Sequence, residues 1–579
     1  MCGIFCSVYH TSNEQACLSD QKTFKFCKNV IAARGPDSLG EECRDLTEVW
    51  HGHFYASVLW MQGSKPTPQP IVDIDGNVLL WNGDVFGGNL FNRDACDTDS
   101  VSSALRNSTD IPSTLRTING PFSVIYYQKS SKKLYFARDR FGRHSLLFRV
   151  NHDCNNLLLT SVSVKEVHDI MELPAIGIFS ANLDSTSLEV ECSPWFQPND
   201  WFTEKLSDLQ KQLPVDVNLT FRNNLPAIRE LLVNKTISPK SGFLEFVEMV
   251  HEFKTYDEIM DHLLSRNSIK QLVDRLLVLL NESTRKRVEI RPKYCRDCIN
   301  SSAETQGNCG HSKVGLLFSG GLDSTILAML AHNYVELDES IDLINVAFKR
   351  QNNSTYEVPD RITGKQSYNE LLEICSGRSF NFIEVNVPEE ELEKFRSNRI
   401  VDLVYPHATV LDDSLACAVW FASRAKGTLL ESGLPYESSC RVLLSGLGAD
   451  EQLGGYMRHR TILKNKGWSD LTKELELEFD RISERNLGRD DRMVSDHGRQ
   501  LRLPFLDEDF VNFLQNLLPT ERCCPTKELP PGLGDKLLLR LLARKIGLRE
   551  ASKLPKRAFQ FGSRIANRKE NAKDLSKRL

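Results

Sequence analysis

The sequence predicts a chain of two unlike halves, an α+β sandwich followed by an α/β layer, and three observations carry this reading. At 579 residues the chain exceeds what one hydrophobic core organises, so two or three domains are expected. From Cys2 to about Ala181, short alternating runs such as GNVLLWNG, PFSVIYYQ and KKLYFARD sit between Gly, Asn, Asp and Pro punctuation, the pattern of hairpin-linked strands. From Lys313 onward apolar strands alternate with helical segments, VGLLFSGG, then STILAMLAHNYV, then IDLINVAF, as a parallel sheet with crossover helices requires.

Between these halves, Ser193 to Ser312 holds looser Pro-, Asn- and charge-bearing stretches. One segment there repeats Leu272, Val273, Leu276, Leu277 and Leu280 at helical spacing, the mark of a packing face. The expected divisions are 2–187, a connecting segment 188–284, 285–562 and a basic tail 563–579. Hydrophobic residues make up 41% and charged residues 26%, an ordinary globular balance. A formal net charge of -5 speaks against a dominant nucleic-acid surface. No run approaches the roughly 18 apolar residues of a membrane span. The N-terminus lacks the basic start and long apolar stretch of a secretory signal, so a cytoplasmic chain is expected, with its sixteen cysteines as reduced thiols. Nine Lys and Arg between 553 and 579 read as a solvated helix or frayed end rather than a binding arm.

The most informative stretch is KVGLLFSGGLDSTILAML. A buried strand from Val314 to Phe318 is expected to run into Ser319-Gly320-Gly321, with a helix beginning near Ser324. Two glycines let the backbone turn sharply and bring N–H groups to an anion, and the helix N-terminus adds donors and a favourable dipole. Asp323 cannot itself favour phosphate, so it makes sense as a ligand for a Mg²⁺ that bridges phosphate oxygens. Gly-Gly turns alone are common. Here SGGLDS matches the PP-loop of ATP pyrophosphatases, and VLLSGLGADEQLGGY supplies a second strand, turn and acidic pair.

These motifs, with LRLPFLD and the lysine of LPKRAFQFG, resemble asparagine synthetases in order and spacing. The resemblance implies a Rossmann-like PP-loop domain that takes ATP and Mg²⁺. Its nucleotide contacts would be Leu317, Ser319, Gly320, Gly321, Ser324, Val346, Ser445 and Gly446, with adenine against Leu317 and Val346. Asp323 and Asp450 would hold Mg²⁺, and Lys556 would neutralise charge developing on pyrophosphate.

The same family begins with an N-terminal nucleophile (Ntn) hydrolase, an αββα sandwich that releases ammonia from glutamine. The opening MCGIFCSV then acquires a reading: once Met1 is removed, the Cys2 thiol attacks the glutamine amide while its own α-amino group moves the proton. By resemblance ARGPDS places Arg34 beside the nucleophile as a substrate-binding residue. WNGDVF gives Asn82 and Gly83 as the oxyanion hole, and CDTDS gives Asp97 as the holder of the substrate α-ammonium. Taken alone, Asn-Gly is a hairpin turn more often than an oxyanion hole.

Two positions depart from the family pattern. Where the glutaminase has an arginine for the substrate α-carboxylate, this chain has Leu59, which removes a charge-assisted pair of about 1.5 to 3 kcal/mol. Arg34 or Lys65 would have to serve instead. Where ammonia meets the activated aspartate, the family has a glutamate and this chain has Leu447, which can neither accept a proton nor steer ammonium. Gln500 is a milder change from glutamate. A separate insertion, YCRDCINSSAETQGNCGH, carries Cys295, Cys298, Cys309 and His311, enough for a tetrahedral zinc. Its Ser-, Asn- and Gly-rich body and tight second pair favour free thiols instead.

The resulting expectation is a glutamine-hydrolysing, ATP-dependent synthetase that amidates aspartate through β-aspartyl-AMP, with glutamine, aspartate and ATP as small-molecule partners. Two alternatives stand beside it: a degenerate relative acting as an interaction subunit or nucleotide sensor, and a PP-loop enzyme that modifies tRNA. The amidotransferase motifs and the acidic balance speak against the last.

Overall fold

The computed structural model describes every residue except 13, 94, 152–155, 214, 219–241, 300–308, 350–354, 530–531 and 567–569. Much of the 195–265 segment and the interior of the Cys/His insertion therefore lie outside the described residues.

Strict alternation builds the N-terminal half. In strand Gly3–His10, Ile4, Cys6 and Val8 point into a core shared with a second sheet. Phe5 points the other way, against Phe24, Cys27 and Ile31 of helix Glu14–Arg34. The second sheet repeats the device: Val78 and Leu80 face the shared core, while Leu79 and Trp81 meet Val101, Leu105, Ile111 and Leu115 of two short helices. A residue period of two thus yields four layers, helix, sheet, sheet, helix. This is the αββα sandwich expected. The first sheet is six-stranded and antiparallel, with Gly3–His10 between strands Asn156–Thr160 and Trp50–Val58. The second is seven-stranded and extends through Glu189–Pro194 to Val215–Val217, the last pair parallel.

In the C-terminal half a seven-stranded sheet has the order Pro435–Glu437, Lys426–Leu429, Phe380–Val387, Ile341–Phe348, Val314–Leu317, Val442–Leu444, Gln500–Arg502. Its last five members are parallel. Helices Asn267–Glu289, Leu322–Ala331 and Leu537–Lys545 cover one face, and Val410–Arg424 with Gly488–Ser495 the other. Counting only the parallel strands in chain order gives 3-2-1-4-5. The order reverses between Val314–Leu317 and Val442–Leu444, the place where an open α/β sheet leaves a crevice at the carboxyl ends of its strands.

The basic tail is docked rather than frayed, which corrects that expectation. Ser576 N donates to the Ala408 carbonyl at 2.8 Å, and Arg578 pairs with Asp413 at 2.8 Å. Asp413 is fully buried at the first turn of helix Val410–Arg424, and this guanidinium is one of two that balance it, with Arg396.

The halves are joined by buried ion pairs. Arg34 reaches Asp491 at 2.8 Å, His144 reaches the same carboxylate at 2.8 Å, and Arg143 reaches Glu508 at 2.5 Å. Unpaired, the arginine and carboxylate charges would be costly to bury, so the pairing fixes one relative placement of the halves.

Candidate active site

The first loop of the crevice at this reversal point is set by backbone constraints. Gly320 sits at φ +74°, and a Cβ there would lie 2.4 Å from the Gly364 Cα, so only glycine fits. Its carbonyl is drawn away by the hydroxyls of Ser367 (2.7 Å) and Thr325 (3.2 Å). Ser324 Oγ donates to the Gly321 carbonyl at 3.2 Å, and Ser319 Oγ accepts the Gly321 N–H at 3.3 Å. With the carbonyls committed, the loop and the start of helix Leu322–Ala331 form an anion-binding edge.

The second loop closes on the first. A Cβ on Gly446 would stand 2.8 Å from that of Asp323, so Ser445-Gly446-Leu447 packs directly on the aspartate. Asp450 follows on helix Ala449–Leu453. The two carboxylates converge on one ammonium: Lys536 Nζ lies 2.7 Å from Asp323 and 2.6 Å from Asp450, and Lys556 pairs with Asp450 from the other side. Although burial pushes Asp450 up, the two ammonium groups hold its carboxyl well below the usual range. Two hard oxygen donors converging beside an anion-binding loop fit Mg²⁺ carried by a triphosphate. Leu317 is half-buried at the crevice edge, whereas Val346 is closed within the core beneath it. Leu447 is partly exposed and packs on the same apolar cluster.

Sequence reasoning missed Lys536. In GDKLLLR it reads as the entry to an apolar helix, and nothing in the pattern marks its left-handed backbone, φ +54°, which turns the side chain toward the carboxylates.

The N-terminal candidates also converge. Cys2 opens strand Gly3–His10, and its backbone N–H donates to Asn82 Oδ1 at 2.8 Å. The Asn82 amide is held in turn by Ser123 at 3.3 Å. Cys2, Gly83 and Asp97 line one cavity together with Leu59, Trp81 and Gln500. Asp97 begins helix Asp97–Arg106, with its carboxylate accepting from Thr98 N (2.8 Å) and Trp81 Nε1 (3.3 Å). Burial, followed by the nearby Asp84 charge, pushes its carboxyl up to about 7. Burial likewise raises the Cys2 thiol, and Met1 lies buried beside it with its amine lowered to about 6 by the same enclosure.

No lysine or arginine lines this cavity among the described residues. Leu59 forms part of its wall, and Lys65 is exposed outside it. Arg34 does not line it: Nε donates to the Cys2 carbonyl at 3.2 Å and Nη2 to Asp491 at 2.8 Å, so the guanidinium positions the nucleophile's backbone and ties it to the other half. Asp84, in the next layer, is held by Gln500 at 2.5 Å, Gln62 at 2.9 Å and Arg502 at 3.3 Å.

Gln500 thus connects the two sites. Strand Gln500–Arg502 borders the cavity beside Cys2 and pairs in parallel with Val442–Leu444, whose end is the second loop of the crevice; Ser445 N donates to the Arg502 carbonyl at 3.1 Å. At the opposite, amino-terminal edge of the same sheet, Cys295, Cys298, Cys309 and His311 come together with all four donor atoms within 4.8 Å of one another. The three cysteines are free thiols, as expected, and they are gathered around His311.

Comparison with known proteins agrees with this architecture. Residues 1–189 match the glutamine amidotransferase domain, and residues 296–466 and 463–579 match asparagine synthase. An asparagine synthetase domain-containing protein 1 of Gallus gallus is 37% identical, covering 99% of this chain and 98% of the relative. A domain-containing relative of Drosophila melanogaster is also 37% identical, over 100% of both chains. A protein of Methanocaldococcus jannaschii named as a putative glutamine-hydrolysing asparagine synthetase is 28% identical, over 83% of this chain and 75% of its own length. The chain therefore belongs to the family of asparagine synthetase domain-containing proteins, in which a glutamine amidotransferase domain precedes an asparagine synthase domain.

Proposed function

We propose that the chain is a glutamine-hydrolysing, AMP-forming amide synthetase whose acceptor is aspartate. The observation that carries this reading is the shared strand: Gln500 borders the glutamine cavity, and the neighbouring strand ends in the loop that touches Asp323. That arrangement suits the transfer of ammonia between two reactions.

In the first reaction, removal of Met1 converts the Cys2 backbone nitrogen, which donates to Asn82 Oδ1 at 2.8 Å, into an amine able to take the thiol proton. The thiolate attacks the glutamine side-chain carbonyl, and Asn82, whose Oδ1 accepts the Cys2 N–H, would serve the developing oxyanion together with the Gly83 N–H. Ammonia leaves, and water then releases glutamate. In the second reaction, the aspartate β-carboxylate attacks the α-phosphorus of ATP, giving β-aspartyl-AMP and pyrophosphate. Asp323 and Asp450 would hold Mg²⁺, which neutralises phosphate charge when bound. Lys536 and Lys556 stand where they can turn from those carboxylates to the departing pyrophosphate. Ammonia attacks the acyl carbon, giving asparagine and AMP.

A second reading, a nucleotide-binding subunit without amide formation, is favoured by Leu59, Leu447 and the absence of lysine and arginine among the described residues that line the cavity beside Cys2. One assay separates them. Purified chain is given glutamine, aspartate and MgATP, and glutamate, pyrophosphate and asparagine are measured separately. The synthetase requires all three in equal amounts. Pyrophosphate without asparagine marks adenylation uncoupled from amide formation, and nucleotide binding with none of the three marks the sensor.

A further inference from the structure

Independently of the amide chemistry, we propose that Cys295, Cys298, Cys309 and His311 form a closed structural Zn²⁺ site. Tetrahedral zinc, with Zn–S about 2.3 Å and Zn–N about 2.0 Å, sets an S···N edge of about 3.5 Å. The observed separations from His311 Nδ1 straddle this value, 3.7 Å to the Cys295 sulfur and 3.4 Å to that of Cys298. Cys309 completes the set and accepts the backbone N–H of Cys295 at 3.2 Å, the kind of outer hydrogen bond that steadies a thiolate ligand. A histidine and three sulfurs form a borderline-soft donor set, unsuited to Mg²⁺ or Ca²⁺. Another group, Glu41, Cys43 and His53, lacks this freedom because both nitrogens of His53 are taken by Asp20 (2.9 Å) and Glu41 (3.1 Å).

The surroundings say what the ion does. Four protein ligands leave no open position for substrate, and His311 lies eight residues before Ser319, up to about 25 Å of extended chain from the nucleotide loop. Arg296 N donates to the Ser439 carbonyl at 2.9 Å, and Asp297 accepts the Ser439 hydroxyl at 2.7 Å, so the first cysteine pair is pinned beside the entry to strand Val442–Leu444. The second pair leads directly into Val314–Leu317. Zinc would staple the chain that leaves helix Asn267–Glu289 to the base of the two strands whose far ends carry the phosphate loops. The two ends of the insertion are then fixed whatever lies between them.

The test is metal content. Full-length protein purified under reducing conditions, without a polyhistidine tag or chelator, should carry one zinc per chain by elemental mass spectrometry. Replacement by Co²⁺ should give intense visible bands and a near-ultraviolet thiolate-to-metal band. Cys298→Ser and His311→Ala should each lower the zinc content at least tenfold. Should either variant fail to fold, native mass spectrometry of the unmodified chain, with and without a strong chelator, gives the stoichiometry directly. Less than a tenth of a zinc with no cobalt spectrum, iron in place of zinc, or full zinc retained in both variants would each overturn the assignment.

Discussion

The crevice between the Ser319 and Ser445 loops and the cavity beside Cys2 differ in how their charges are balanced. In the crevice Asp323 and Asp450 meet the ammonium groups of Lys536 and Lys556, and a residue larger than glycine has no room at 320 or 446. The N-terminal cavity is lined by Cys2, Gly83 and Asp97, yet among the described residues no lysine or arginine lines it to balance a carboxylate. Backbone geometry survives in both, and charge complementarity in only one. Packing resists change because an altered core costs stability, whereas a lost surface cation at a ligand site costs only affinity.

Residues that the family resemblance leads one to expect can be introduced into each half. Leu447→Glu reinstates a proton acceptor beside the second loop, and asparagine formed per pyrophosphate should rise by about 10²- to 10⁴-fold. An unchanged ratio, measured by chromatography of both products, would mean that this position does not limit amide formation. Lys536→Ala or Lys556→Ala should cut pyrophosphate release by about 10²- to 10³-fold while leaving glutamate formation alone. A parallel fall in glutamate would show that the halves are not separable in this way. Leu59→Arg should lower the glutamine KM by about ten- to 150-fold, the equivalent of about 1.5 to 3 kcal/mol. No change would place the carboxylate elsewhere.

The smallest effect is one of pH. Asp97 must be ionised to hold an ammonium, and its carboxyl titrates at about 7 in the folded cavity, so below that pH a proton must be lost on binding. Glutamine affinity should therefore fall by about tenfold per unit as pH drops below 7 and level off above it. Asp97→Asn should bind weakly at every pH with a flat profile, and an unchanged slope in that variant would assign the titration to another group.

How much of this the sequence carried depends on whether the signal was local. The strand-loop-helix around Ser319 was legible because a buried strand, paired glycines and a helix start occupy consecutive positions. Cys2, Asn82 and Asp97 were readable through order and company rather than spacing. The use of Arg34 was not, because its partner Asp491 lies 457 residues away and only the joined halves bring them together. Lys536 was hidden by a backbone conformation that composition does not announce. The basic tail looked solvated because its charge was counted without the buried Asp413 that receives Arg578.

The central claim is that a magnesium-bound triphosphate sits between the loops at Ser319 and Ser445, held through Asp323 and Asp450. Calorimetric titration of the full chain with MgATP tests it most directly. One site per chain is expected, lost when magnesium is chelated and weakened at least about 100-fold by Asp323→Asn. Absence of binding heat at millimolar nucleotide, or equal heat in the variant, would contradict it.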